Sequence, residues 1–331
     1  MSAPGTSAGP DLDMRTRFYA ELDPLLDAHP DLDVVLAVIG AARLARVADR
    51  HPGRVVDVGI REQAMIGVAG GLALTGRRPV VHTYAPFLVE RPYEQLKISL
   101  GHQDVGAILV SIGASFDASA AGRTHQAPAD VALVAALPGW TVHVPGHPDE
   151  VAALLHAEAG RSGRAYVRLS GQRNERPRPT DGRVHLVRDV ADGPGAGAGA
   201  APLVLAVGPM LDTVLAATAD LPVRVAYTAT PHPLDAVGLR RLAGSTPALA
   251  VVEPYLEGTS AAAVAAALAD RPARVVHVGV PRDVELRRYG SPDDHAAAHG
   301  LDVAGVRRRV ETLVARRVGS PSSGRKSELP T

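Results

Sequence analysis

The feature that most constrains this chain is a repeated alternation, in which short runs rich in Val, Ile and Leu are separated by longer stretches of helical periodicity. The runs fall at residues 33–39, 54–58, 79–83, 105–111, 141–144 and 165–169. Between them, 62–74 places Met65, Ile66, Val68, Ala69 and Leu72 at helical spacing, and 150–159 does so with Val151, Leu154 and Leu155. Strands joined through helices need crossover connections, so the pattern predicts an α/β fold with a parallel sheet covered by helices. A polar, proline-rich stretch at 172–179 and a Gly/Ala/Pro stretch at 192–202 then interrupt the pattern. It resumes with runs at 203–207, 223–227, 248–252 and 274–278.

With 331 residues the chain can bury two cores. Two doubly wound, parallel-type sheets are expected: a first domain over 14–175, a linker over 176–201 and a smaller domain over 202–318. The polar ends, 1–13 and 319–331, are expected to be disordered. The 35 basic and 35 acidic residues cancel, which leaves no basic stripe for a nucleic-acid backbone. Cysteine is absent, excluding disulfides and thiolate chemistry. No run reaches membrane-spanning length and the start lacks an apolar leader, so a cytoplasmic location is expected.

The most informative stretch is Asp57-Val-Gly-Ile-Arg-Glu-Gln-Ala-Met65, where a strand ends near a glycine and Glu62 opens an apolar helix. Ligands in doubly wound sheets gather beyond the carboxyl ends of strands, which makes Glu62 a candidate site residue. Taken alone, the segment favours a plainer reading, a carboxylate stabilised by the helix dipole. Three other features are set aside. The glycines at 193–199 precede a strand instead of following one, so they read as linker and not as a dinucleotide loop. His295 and His299 lack a metalloprotease glutamate and read as part of an exposed helix. The alanine-rich stretch at 261–269 reads as a short helix.

Further segments follow in order: Gly59-Ile-Arg-Glu-Gln63, Gly70-Gly-Leu-Ala-Leu74, Thr83-Tyr-Ala-Pro-Phe-Leu88 with Arg91-Pro-Tyr-Glu-Gln95, Gly122-Arg-Thr-His-Gln126, Ala136-Leu-Pro-Gly-Trp140, Val144-Pro145 and Tyr166-Val-Arg-Leu-Ser170. In this order they resemble the pyrimidine-binding domain of transketolases and deoxyxylulose-phosphate synthases. His232-Pro-Leu-Asp235, Val252-Glu-Pro-Tyr255 and Gly279-Val280 resemble the transketolase C-terminal domain. The resemblance implies the C-terminal subunit of a split transketolase, which uses thiamine diphosphate and Mg2+ to pass a two-carbon ketol or acyl unit to an aldehyde. It implies that Glu62 hydrogen-bonds N1′ of the cofactor's aminopyrimidine, and that Phe87, with Tyr84 beside it, stacks on that ring. It further implies that His125 meets substrate oxygens near the reacting carbon and that Arg91 reaches an acceptor phosphate.

The family's Gly-Asp-Gly segment and downstream asparagine, which hold magnesium and the diphosphate, have no counterpart, and the one asparagine is Asn174. The resemblance therefore implies no metal ligand in this chain. The ligands would come from an N-terminal-type transketolase subunit carrying the diphosphate-binding domain, in an α2β2 assembly. Two departures bear on substrate. The family's Asp-Gly-Pro-Thr-His reads Ala121-Gly-Arg-Thr-His125, and its Leu-Ser-Arg-Gln reads Leu169-Ser-Gly-Gln172, so a sugar-reading aspartate and a phosphate-binding arginine are replaced. These keep open a deoxyxylulose-phosphate-synthase-like or 2-oxo-acid decarboxylating or dehydrogenase β-type subunit, and also a degenerate, non-catalytic subunit that binds a partner.

Overall fold

The computed structural model describes residues 12–190, 201–245 and 247–315. The expected disorder at the two ends falls almost wholly outside these residues, as does the glycine-rich centre of the expected linker at 193–199. The first sheet contains β1 (Leu32–Leu36), β2 (Val55–Asp57), β3 (Arg78–Tyr84), β4 (Ile108–Ile112), β5 (Trp140–His143) and β6 (Arg164–Arg168). All pairings are parallel, in the order β2-β1-β3-β4-β6-β5.

Parallel strands covered on both faces read as continuous apolar runs, and β1 and β4 are buried at every residue. Successive side chains feed opposite cores. Val34 and Leu36 join Phe18, Leu22, Val151 and Leu155 from the helices Met14–Ala28 and Pro148–Ala159. Val35 joins Met65, Ile66, Val131 and Val134 from the helices Glu62–Leu74 and Asp130–Ala135 on the other face.

The second sheet contains β7 (His185–Arg188), β8 (Leu203–Val207), β9 (Arg224–Thr228), β10 (Ala248–Leu256) and β11 (Arg274–Val280), in the order β11-β10-β8-β9-β7. Its pairings are parallel except for β7, which lies antiparallel to β9 at one edge. β7 falls within the stretch expected to be linker. Four residues on a half-exposed edge carry too little apolar periodicity to stand out in sequence. Met210, Val214, Val306 and Val310 cover one face of this sheet, and Leu239, Leu242, Val264 and Leu268 the other. The helix Pro292–His299 is exposed over most of its length, as expected, but His295 within it is fully buried and corrects the exposed reading at that residue. Its ring and that of His299 pack 6.0 and 5.5 Å from Phe116 of the first unit, an apolar partner that only the tertiary fold supplies.

The two units are joined by backbone hydrogen bonds, Val142 N–H to His232 O and Val144 N–H to Ala229 O at 2.7 Å each, and Leu256 N–H to Pro128 O at 2.7 Å. Beside the last of these lies a buried ion pair. Arg168, at the end of β6, donates through Nε to Asp130 Oδ2 at 2.7 Å and through Nη2 to Ser115 Oγ at 2.6 Å. Tyr166 donates to the same Asp130 oxygen at 2.7 Å, and Ser115 Oγ donates onward to Pro254 O at 2.6 Å. Removing one member strands the other as an unpaired buried charge. Asp130→Ala should therefore lower unfolding free energy by about 3–5 kcal/mol in chemical denaturation; a loss below about 1 kcal/mol, the range of exposed pairs, would contradict this account.

Candidate active site

In the first sheet the strand after β1 lies to one side and the strand after β3 to the other, so the carboxyl ends of β1 and β3 frame the crevice of the fold. β2 ends at Asp57, and Gly59, at φ +73°, turns the chain into the helix that Glu62 opens. Asp57 Oδ1 accepts the N–H groups of Val38 at 2.9 Å and Gly59 at 3.0 Å, knitting the exit of β1 to this turn. Val38 is held there at φ +67°. A β-branched residue in the left-handed region is strained by about 1–3 kcal/mol, and such residues cluster where a site over-determines the backbone. Glu62 is only 4% exposed, and beyond facing the helix dipole its Oε1 accepts a hydrogen bond from Arg91 Nη1 at 2.9 Å.

Arg91 and Phe87 come from the segment after β3. Beyond Tyr84 the chain enters a π-helical turn, Pro86–Glu90, closed by Arg91 N–H to Pro86 O at 3.1 Å. Such turns are rare and concentrate at functional sites. Residues four apart share a helical face, and the Arg91 guanidinium lies over the Phe87 ring, 3.8 Å from its centroid. Gln63 Nε2 donates to Arg91 O at 3.3 Å, tying this turn to the start of the Glu62 helix. Tyr84 packs against Gly113, just beyond β4: a Cβ there would lie 2.4 Å from the Tyr84 ring, and the backbone is at φ +70°. His125, on the turn Arg123–His125, completes the wall. Its ring centroid lies 5.1 Å from Phe87 and 5.5 Å from Tyr84, with Tyr84 and Phe87 5.8 Å apart, and its Nδ1 is 3.0 Å from Thr124 Oγ1. The structure thus brings Glu62, Arg91, Phe87, Tyr84 and His125 into one run of contacts.

Beside Tyr84 opens a cleft of 350 Å³ whose lining includes Arg15, Gly113, Asp117, Ser170 and Gly171. Asp117 accepts N–H bonds from Gly171 at 2.8 Å and Ala114 at 3.1 Å, with the Ser170 hydroxyl at 3.4 Å. Desolvation outweighs these bonds and pushes its carboxyl up to about 6. Sequence reasoning missed Asp117, which lies in a loop and matches no motif. The left-handed backbone of Val38 was not legible either, since no residue type announces it. A carboxyl raised in the folded state favours folding while protonated, and that contribution is lost as pH rises through its folded value. Wild-type stability should therefore fall relative to Asp117→Asn between about pH 4 and 7; parallel stability curves for the two proteins would show that Asp117 is not so perturbed.

Residues 12–176 match the family of the transketolase pyrimidine-binding domain. A protein from Rhodococcoides fascians, described as an uncharacterized 33.6 kDa protein in the fasciation locus, is 47% identical over 304 residues, covering 91% of this chain and 95% of that one. A 1-deoxy-D-xylulose-5-phosphate synthase from Paraburkholderia xenovorans is 32% identical over 290 residues, 83% of this chain but 44% of the synthase, so this chain spans less than half of that enzyme. The 6-deoxy-6-sulfo-D-fructose transketolase subunit SqwH from a Clostridium species is 28% identical over 285 residues, 83% of this chain and 81% of the subunit. Among solved structures, a split gene transketolase, an inactive beta4 tetramer, superposes with a TM-score of 0.74 at 24% identity, covering 92% of this chain and 98% of that one.

Proposed function

Because this chain belongs to the transketolase family, we propose that it forms the pyrimidine-binding half of a thiamine-diphosphate transferase, passing a two-carbon ketol or acyl unit to an aldehyde acceptor. An N-terminal-type subunit, in an α2β2 assembly, would supply the diphosphate site and the magnesium ligands. The observation that carries this reading is the cradle between Glu62 and Phe87, where a nearly buried carboxylate and an aromatic face already hold a flat cation between them. A planar ring that stacks on Phe87 and hydrogen-bonds to a carboxyl group has the same requirements, so these residues fit an aminopyrimidine.

When bound, thiamine diphosphate supplies the nucleophilic carbon and the electron sink. The protein's part falls to its own side chains. Glu62 holds a proton against N1′ of the ring, Phe87 sets the plane and Tyr84 keeps water from its edge. His125, half-buried against both aromatics, would exchange hydrogen bonds with oxygens of the substrate.

The surface around Glu62 supports a partner. On the helix Glu62–Leu74, Ala64, Gly67, Val68, Gly71 and Leu74 are exposed along one side, while Met65, Ile66 and Ala69 are buried on the other. Ile60, at 73% exposure, precedes it, and Ile98 lies on the neighbouring turn Leu96–His102. A helix apolar all round is one made to be buried, and this one begins at the site itself. The partner subunit would cover this face and bring its diphosphate site alongside Glu62. Among the described residues, no helix is long and apolar enough to cross a membrane.

Glu62→Gln keeps shape and hydrogen bonding but removes the exchangeable proton. In the complex reconstituted with the partner, it should preserve assembly and lower turnover by about 10²- to 10⁴-fold. Turnover equal to wild type would remove Glu62 from this role.

A further inference from the structure

We propose that the Arg91 guanidinium is a built-in occupant of the aminopyrimidine cradle, and that the ring of the cofactor binds by displacing it. The inference rests on the function proposed above and adds a gate to it. Two contacts in different directions carry the assignment. Nη1 donates to Glu62 Oε1 at 2.9 Å, the carboxylate assigned to the ring, and the guanidinium carbon lies 3.8 Å from the Phe87 centroid, over the face assigned to the ring. A guanidinium is planar, delocalised and edged with N–H donors, so it meets both requirements of the cradle at once. At 3.8 Å the guanidinium is in stacking contact with that face of Phe87, so a ring that uses the same face has to displace it.

The surroundings are built for exchange. The Arg91 backbone is fixed at both ends, its N–H in the π turn and its carbonyl on Gln63 Nε2, so only the side chain has to move. That side chain is 43% exposed whereas the Glu62 side chain is 6% exposed, which places the exit on the arginine side and toward solvent. The occupant also has a physical use. A carboxylate this buried is costly without a partner, and Arg91 neutralises it until the ring arrives. After displacement, the same guanidinium is available at the mouth of the site to an anionic group on the acceptor.

The experiment uses the full chain and two probes that need no diphosphate site: thiamine, and the free pyrimidine 4-amino-5-hydroxymethyl-2-methylpyrimidine. Calorimetric titration into wild type, Arg91→Ala and Arg91→Gln reads affinity, while nitrogen-15 NMR of the Arg91 side chain in wild type reads its displacement without any variant. Losing a half-exposed ion pair and a cation–π contact should tighten binding of both probes about five- to tenfold in Arg91→Ala, with Arg91→Gln intermediate. Saturating probe should shift the Arg91 Nε–H signal toward that of a solvated arginine. Equal or weaker binding by Arg91→Ala, or an Arg91 signal unmoved at saturation, would overturn the gate. Loss of probe binding in Phe87→Ala would then show that the cradle stands without the gate, whereas no binding by any of the chains would overturn gate and cradle together.

Discussion

The buried pair of Arg168 and Asp130 is the contact on which the arrangement of the site depends. Two charges out of water are tolerable because each is also hydrogen-bonded, Asp130 by Tyr166 and Arg168 by Ser115. Ser115 and Asp130 flank the loop that carries Asp117 and His125, and the base of that loop is closed by the bridge between Ser115 and Ala127. Ser115 then reaches Pro254, so the pair that anchors the loop also anchors the second unit. The tip of the loop is held from the same side. Arg123 pairs with Glu285 at 2.8 Å, Ser119 Oγ donates to Gly290 O at 2.8 Å, and the Tyr289 ring lies against Gly122, where a Cβ would come within 2.7 Å of it. His125 is thus placed by both units, which gives the second sheet a part in the site although it contributes none of the five assigned side chains.

The other wall is built from local backbone devices. Asp57 gathers the N–H groups of a strained Val38 and of Gly59, the turn delivers Glu62, and a π turn lays Arg91 over Phe87. Each device costs conformational freedom or strain, and all converge at the crevice between β1 and β3. The result is a cradle in which the Arg91 backbone is tied down while its side chain is the exposed partner, beside an apolar helix face that starts at Glu62. On the proposed reading, cofactor loading and subunit docking would be adjacent events on this surface.

Much of the fold was legible in the sequence, because strands buried on both faces are predominantly apolar runs. The runs at 33–39 and 203–207 became β1 and β8, and the helical period at 62–74 became the helix Glu62–Leu74. The candidate residues were legible through the order of their motifs, since Glu62, Phe87 and His125 are far apart in sequence and only a resemblance links them. What stayed hidden depends on tertiary partners. β7 is an edge strand without a periodic signal, His295 is buried only because Phe116 arrives from the other unit, and Asp117 is set apart by desolvation in a cleft no motif marks. The Arg91–Glu62 contact was hidden in another way: sequence pointed Arg91 toward an acceptor phosphate, while the π turn directs it onto the carboxylate.

On the proposed reading, this chain holds half of a cofactor site. Calorimetric titration of thiamine diphosphate with magnesium, first into this chain alone and then into its mixture with the diphosphate-binding subunit, tests it most directly. The account predicts tight, magnesium-dependent binding only in the mixture. Tight binding by the chain alone would contradict the shared site, and absence of binding in the mixture would contradict the assignment of the cradle to this cofactor.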